Sequence, residues 1–332
     1  MARALVTGAT GLVGSYIAER LLHDGWTVRA LVRHPSPFLT ELGAATVTGD
    51  VLDADGFARA AAGCDVIFHA AAAVTPRGGW EAYRRLNVDG TLAAIGAAER
   101  SGARLVHVSS VAVYGPEDRY REANQKTDED TVFGPLPQRA YYARSKRESE
   151  QLVMQAHVDG RIWATAVRPV VVYGRRDRQF VPRVARLLRF GVAPIIGRGT
   201  STFSIVHAAN VADGTVRAAF VERAGGRAYN LANDFDVTVR RFLGLAGDGL
   251  GTRVRLVSIP PPVARRGLAA VKALVRTLTG GRLSVVSTAS LNWFTRDNPF
   301  SSERARRELG WSPSVRPEDG IPDAFRWWAM HH

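Results

Sequence analysis

Eight residues near the N-terminus, TGATGLVG at 7 to 14, constrain this chain more than any other stretch. They follow an apolar run, Ala2 to Thr7, and enter a helical pattern, Gly11 to Leu22, in which Leu12, Val13, Ile17, Leu21 and Leu22 share one side. Glycines at 8, 11 and 14 permit a tight strand-to-helix turn, bare the first amides of the helix and let helix and strand pack closely. Such a turn belongs to a parallel βαβ unit.

The same rhythm continues. Thr27 to Val32 and the short Ala45 to Thr48 read as strands, and Asp53 is placed to cap a helix through Ala62. Asp65 to His69, Leu105 to Ser109 and Ile162 to Val167 extend the sheet, with helices near 80–101 and 138–159 between them. After Gly174 come an arginine-rich helix, Gln179 to Phe190, short strands and the proline cluster IPPP at 259–262. Residues 203–231 return to strand, helix, strand, and are expected to rejoin the sheet. The expected architecture is α/β: a doubly wound parallel sheet from 1–174 and 203–235, with a smaller, discontinuous C-terminal substrate-binding lobe from 175–202 and 236–332.

Composition narrows the partners. The single cysteine, Cys64, excludes an intrachain disulfide and a thiolate metal cluster, so no metal is expected. No apolar run approaches the roughly 18 to 20 residues that span a bilayer, and MARALVTGATG has no basic-then-apolar leader. A soluble cytoplasmic protein is expected. The net charge of +13 raises the question of nucleic acid. The cations are nearly all arginine and spread along the chain, with lysine only at 126, 146 and 272; arginine-favouring base composition accounts for that, and no nucleic-acid partner is expected.

The glycine turn makes Gly8, Thr10, Gly11, Leu12, Val13 and Gly14 candidates for holding a dinucleotide pyrophosphate at a helix N-terminus. At the end of the second strand, TVRALVRHP carries no acid to bond the ribose hydroxyls of NAD, and Arg33 follows at once. NADP(H) is therefore the favoured cofactor, with NAD(H) the alternative. Asp50, with Val51, ends the third strand where an acid would accept from the adenine amino group.

In YYARSK at 141–146, four residues along a helix advance about 400°, so Tyr142 and Lys146 share a face while Tyr141 lies about 140° round. A phenol has a pKa near 10, and a fixed ammonium nearby lowers it toward a useful value for a general base. Tyr142 and Lys146 are thus candidate catalytic partners.

These motifs stand in a recognisable order: the glycine turn, HAAA at 69–72, NVDGT at 87–91, VSSVAVYG at 108–115, YARSK at 142–146, RPVVVYG at 168–174, FSIVH at 203–207 and ARRELGWSP at 305–313. Over nearly the whole chain, the sequence resembles the extended short-chain dehydrogenases/reductases, with a Rossmann-type cofactor domain. The resemblance implies that Ser110 polarises the substrate oxygen, that Tyr142 is the acid/base and that Lys146 also holds the nicotinamide ribose. It implies cofactor contacts from Ala70, Ala71, Ala72 and Asn87, with Pro169 and Val172 lining the nicotinamide. It also implies a homodimer built by pairing the helices near 80–101 and 138–159.

Two branches of that family differ in substrate. Nucleotide-sugar enzymes commonly carry an asparagine where this chain has Val171, and the dehydratases an acidic pair where it has Val111 and Ala112. The stretch from Gly174 through Gly214 looks more like the 3β-hydroxysteroid dehydrogenase-like branch. The expected activity is interconversion of a secondary alcohol and a ketone on a largely apolar molecule. The alternatives are a nucleotide-sugar epimerase, reductase or dehydratase, and a non-catalytic NADP-binding regulator. Asn210 replaces an acid found in many relatives and is read as structural, and His207 as a packing residue. The amphipathic segment 262–281 is read as a cap on its own lobe, compatible with peripheral membrane contact. Arg175, Arg176 and Arg178 are read as a solvated loop rather than an anion site.

Overall fold

The computed structural model describes residues 2–75, 78–115, 126–232, 235–264, 266–267 and 297–332. From the N-terminus run β1 (Arg3–Thr7), α1 (Leu12–His23), β2 (Thr27–Val32), α2 (Pro37–Glu41), β3 (Ala45–Thr48), α3 (Ala54–Ala61) and β4 (Val66–His69). Then come α4 (Gly79–Tyr83), a π-helical turn (Arg84–Asp89), α5 (Gly90–Ser101), β5 (Arg104–Val108), a 3-10 turn (Val111–Tyr114), α6 (Tyr141–Val158) and β6 (Ala164–Pro169). The remainder comprises β7 (Val171–Tyr173), α7 (Phe180–Leu188), β8 (Val192–Ile196), β9 (Ile205–His207), α8 (Ala208–Phe220) and β10 (Ala228–Leu231). It ends with α9 (Val239–Gly249), β11 (Arg255–Ile259), α10 (Glu303–Leu309) and α11 (Pro317–His331).

Seven strands form one parallel sheet in the order β10-β6-β5-β4-β1-β2-β3. The chain winds outward from β1 through β2 and β3, crosses back to β4, and continues through β5, β6 and β10. The reversal between β1 and β4 leaves a crevice at the carboxyl ends of the strands, where this class of sheet binds ligands. Both faces are covered. Ala4, Val6, Phe68, Val106 and Val167 point to one side, packed with Ile17 of α1 and Val211 of α8. Leu5, Ile67, Leu105 and Ala164 point to the other, against Phe57 of α3, Ala94 of α5 and Val153 of α6. Two-sided burial explains why the strands are continuous apolar runs rather than alternating ones. Phe57 and Phe68 are wholly buried, each contributing about 2–3 kcal/mol.

Local signals act as expected at several ends. Asp53 caps α3 by accepting from the amide of Gly56 at 3.0 Å. Gly8 has φ of +68°, and a Cβ there would lie 2.8 Å from the Ala70 carbonyl oxygen; one on Gly14 would lie 2.3 Å from that of Gly8. These close approaches seat α1 on β1 and bring the end of β4 alongside.

Outside the main sheet, two details differ from expectation. Of residues 203–231, β10 rejoins the sheet, but β9 pairs with β7 in a separate two-stranded parallel sheet. Arg176 is structural rather than solvated, whereas Arg175 and Arg178 stay exposed. Arg175 bonds Asp323 of α11 with two nitrogens, and Arg176 pairs with Glu19 and lies over the rings of Tyr16 and Phe38. A third apolar cluster joins Leu188 of α7, Ile195 of β8, Phe242 of α9 and Phe325 of α11 around Phe203. β8 pairs in parallel with β11 beside it. Asn210 is structural, accepting from the amides of Ser314 and Val315 and donating to the Val315 carbonyl. His207 caps α8 through Nδ1, which accepts from the amide of Ala209. Most of segment 262–281 lies outside the described residues.

A buried ion pair ties α6 to the sheet. Arg168 of β6 meets both carboxylate oxygens of Glu150 at 2.5 to 3.1 Å and donates to the Tyr114 hydroxyl at 2.7 Å. Tyr114 donates in turn to Asn230 of β10 at 2.8 Å, and the Asn230 amide donates to Glu129 at 2.7 Å. Removing one partner strands the other charge. Arg168→Met is expected to cost about 3–5 kcal/mol in denaturant unfolding, whereas Glu150→Leu with Arg168→Met together costs less than that single change. Gly14→Ala is expected to cost about 3 kcal/mol or more, because backbone cannot yield. In the same assay Gly96→Ala, where a Cβ would meet nothing within 4 Å, gains about 0.5–1 kcal/mol.

Candidate active site

The crevice is built from the glycine turn outward. Gly11 caps α1 without a side chain, and the first turn holds no acid, so the leading amides of a 12-residue helix face the crevice unpartnered by any cap. That donor set suits a pyrophosphate. Thr7 locks the opposite wall: its hydroxyl accepts from the amide of Ala71 at 3.3 Å and meets His69 Nδ1 at 2.9 Å. Ala70, Ala71 and Ala72 follow, half-buried, with backbone toward the turn.

Arg33 stands exposed directly after β2 and makes no hydrogen bond or ion pair among the described residues. Asp50 ends the β3 side as a turn acid whose Oδ1 accepts from the Leu52 amide at 3.0 Å, and Val51 packs near the start of α5 at Gly90. Asn87 sits in the π-helical turn, where the wider winding points it inward. Its Oδ1 accepts from the amide of Ala73 at 2.6 Å, while Nδ2 donates to the Ala73 carbonyl and to Ser145 of α6. Asn87 therefore clasps the loop after β4 to the helix bearing Tyr142 and Lys146.

Ser110 follows β5, its hydroxyl accepting from the amide of Ala112 at 3.2 Å, and it acts to lower the pKa of the Tyr142 phenol. Tyr141 packs instead against Trp80 and Tyr83. Lys146 is buried, donating to the Val108 carbonyl at 2.6 Å and lying 3.4 Å from His107 Nε2. Pro169 ends β6 and Val172 lies in β7, along the same edge.

Burial pushes the Tyr142 phenol up from its usual value, against the lowering by Ser110. The expected lowering by Lys146 does not prevail, because the phenol is desolvated. Tyr142 is thus held protonated at neutral pH. Burial brings Lys146 down to about 8, with Glu150 one turn on opposing the shift. The arrangement can donate a proton and a hydrogen bond to one oxygen.

Behind the lysine lies a feature the sequence reading missed. His69 and His107 are register partners on β4 and β5 and stack with centroids 5.7 Å apart. Burial and the nearby ammonium hold both neutral, His69 down to about 3. Ser149 also meets His107 Nε2, at 3.2 Å. The available signal was a histidine at the same level of two otherwise apolar strands, VIFH and RLVHV.

A cavity of about 550 Å³ lies elsewhere, between Tyr16 of α1, Arg175, His207 and Asp323 of α11, and shares no lining residue with Ser110, Tyr142 or Lys146. Among the described residues no cluster could hold a metal ion, and no helix is long and apolar enough to cross a membrane.

Comparison with known proteins identifies the family. The model of the NAD dependent epimerase/dehydratase family matches residues 4–232. A 4-hydroxy-2-methyl-3-oxo-4-farnesyl-3,4-dihydroquinoline-1-oxide ketoreductase of Stigmatella aurantiaca is 32% identical over 330 residues, 98% of this chain and 96% of that protein. The ceramide reductase of Caulobacter vibrioides is 30% identical over 96% of this chain and 89% of its own. The solved UDP-glucuronic acid 4-epimerase of Bacillus cereus, in complex with NAD, superposes with a TM-score of 0.74 at 20% identity, covering 99% of this chain and 98% of that one, and shares the fold. The chain belongs to the NAD dependent epimerase/dehydratase family, the extended short-chain dehydrogenases/reductases, and is an NAD(P)-dependent oxidoreductase of that family.

Proposed function

We propose that this protein interconverts a ketone and a secondary alcohol on a largely apolar, lipid-like molecule, with NADP(H) as the preferred cofactor. The observation that carries the reading is the placing of Lys146, buried one helical turn from Tyr142 and bonded to the carbonyl of Val108 at the end of β5, which stands two residues in sequence before Ser110. In reduction, Tyr142 gives its proton to the carbonyl oxygen while Ser110 donates to the same oxygen and stabilises the charge gathering there. In oxidation the phenolate takes the hydroxyl proton back. When bound, the nicotinamide supplies or accepts the hydride. The bare amides of α1 would hold the pyrophosphate, Arg33 the 2′-phosphate, and Lys146 the nicotinamide ribose.

The substrate class rests on what surrounds these groups. Val111 is buried in the 3-10 turn and Val171 is half-buried opposite Ile205, so neither position offers a donor or an acid to a sugar diphosphate. The relatives named as reducing a farnesylated quinoline oxide and a ceramide act on molecules with long apolar chains.

Against a panel of apolar ketones with NADPH, Tyr142→Phe is expected to lower turnover by at least about a hundredfold while NADPH still binds, followed by its fluorescence. Turnover retained in that variant would sink the assignment. Arg33→Glu is expected to raise the KM for NADPH about tenfold or more and leave that for NADH unchanged, as measured by initial rates. Equal effects on both would remove Arg33 from the cofactor site.

A further inference from the structure

The arginines are spread along the chain, but the acids are not. Residues 178–212 and 249–296 contain no aspartate or glutamate and carry thirteen lysines and arginines, while the remaining residues hold 31 basic and 31 acidic side chains. The entire net charge of +13 therefore resides in two stretches.

Their described parts meet in space. β8 and β11 pair with Val192 beside Arg255 and Pro194 beside Val257, and the Gly191 carbonyl accepts from the Arg255 amide at 2.7 Å. Alternation in β8 turns Ala193 and Ile195 into the third apolar cluster and leaves Val192 and Pro194 outward. α7 leads into the same strand. Five of the eleven exposed large apolar side chains among the described residues fall in these stretches: Leu187, Phe190, Val192, Val257 and Val263, with Phe190 at 74% exposure. Around them Arg186, Arg189, Arg253 and Arg255 are exposed and form no ion pair among the described residues. Arg189 lies over the Phe190 ring at 4.3 Å.

We infer that the face formed by the C-terminal end of α7 with β8 and β11 docks on an anionic lipid bilayer. Lipid phosphates match the unpaired guanidinium groups, and Phe190, Leu187 and the valines enter the boundary between headgroups and acyl chains. The face carries one exposed ring, Phe190, already covered by Arg189, and is otherwise aliphatic, so it offers no row of rings on which successive nucleic-acid bases could stack. With no acid on the face, nothing fixes the register of a protein partner by alternating charge, and a bilayer requires no register. This surface deepens the reading of a lipid-like substrate but does not depend on it, since binding is measured without turnover.

The test is cosedimentation of the full chain with phosphatidylcholine vesicles, alone or with about a third phosphatidylglycerol. Binding is expected only to the anionic vesicles and is lost near about 0.5 M NaCl. Arg253→Glu with Arg255→Glu is expected to weaken it about tenfold or more. Phe190→Ser with Val257→Ser is also expected to weaken it at low salt, which charge alone would not produce. Melting midpoints and soluble-substrate turnover of these variants should match the parent, showing that the fold is intact. Absence of binding to anionic vesicles at low salt, or binding indifferent to both double variants, overturns the inference. So does tighter binding to a DNA duplex that ignores Phe190 and Val257.

Discussion

Lys146 places a charge where water does not reach, and much of the surrounding architecture accommodates that one ammonium. Its burial costs enough to bring the pKa down to about 8, and the Val108 carbonyl at 2.6 Å is the group that offsets the cost. That bond fixes α6 against the end of β5, so Tyr142, one helical turn earlier, arrives at Ser110. Glu150, one turn later, opposes the shift and is itself neutralised by Arg168. The histidine pair completes the lining: neutral imidazoles add no further positive charge beside the amine.

The two sides of the crevice hold their partners differently. On the side proposed for the cofactor, the groups on offer are mostly backbone: bare amides at α1, a left-handed Gly8, and a loop pinned by Thr7 and Asn87. Across from it the candidate chemistry rests on hydroxyls, a phenol and an amine, all on the ends of rigid elements. On the proposed assignment, this separation would let the neighbourhood of Val111 and Val171 change without disturbing the glycine turn.

Much of this was legible beforehand, for a physical reason. Strands buried on both faces announce themselves as short apolar runs, and β1 and β4 fall within a residue of where the pattern puts them. The pairing of Tyr142 rather than Tyr141 with Lys146 is helical geometry. What stayed hidden depends on contacts between distant segments. Nothing in FSIVH says that β9 pairs with β7 instead of the main sheet. Arg176 looks solvated until Glu19, Tyr16 and Phe38 are folded against it. The protonation of Tyr142 reflects desolvation, which no spacing encodes. The inward turn of Asn87 needs one residue too many in a helix, and a residue count does not reveal where the extra one is absorbed.

The clasp at Asn210 has a consequence for synthesis on the ribosome. Its side chain is bonded by Ser314 and Val315, and Trp311, which bonds the Asn210 carbonyl, is almost fully enclosed beneath α8. Glu129, which accepts from the amide of Asn230 on the outermost strand, likewise waits for Arg304 to steady it. A nascent chain that has emitted every strand of the main sheet still lacks the wedge that seals one of its faces, so that sheet must persist half-finished until about eighty more residues have emerged.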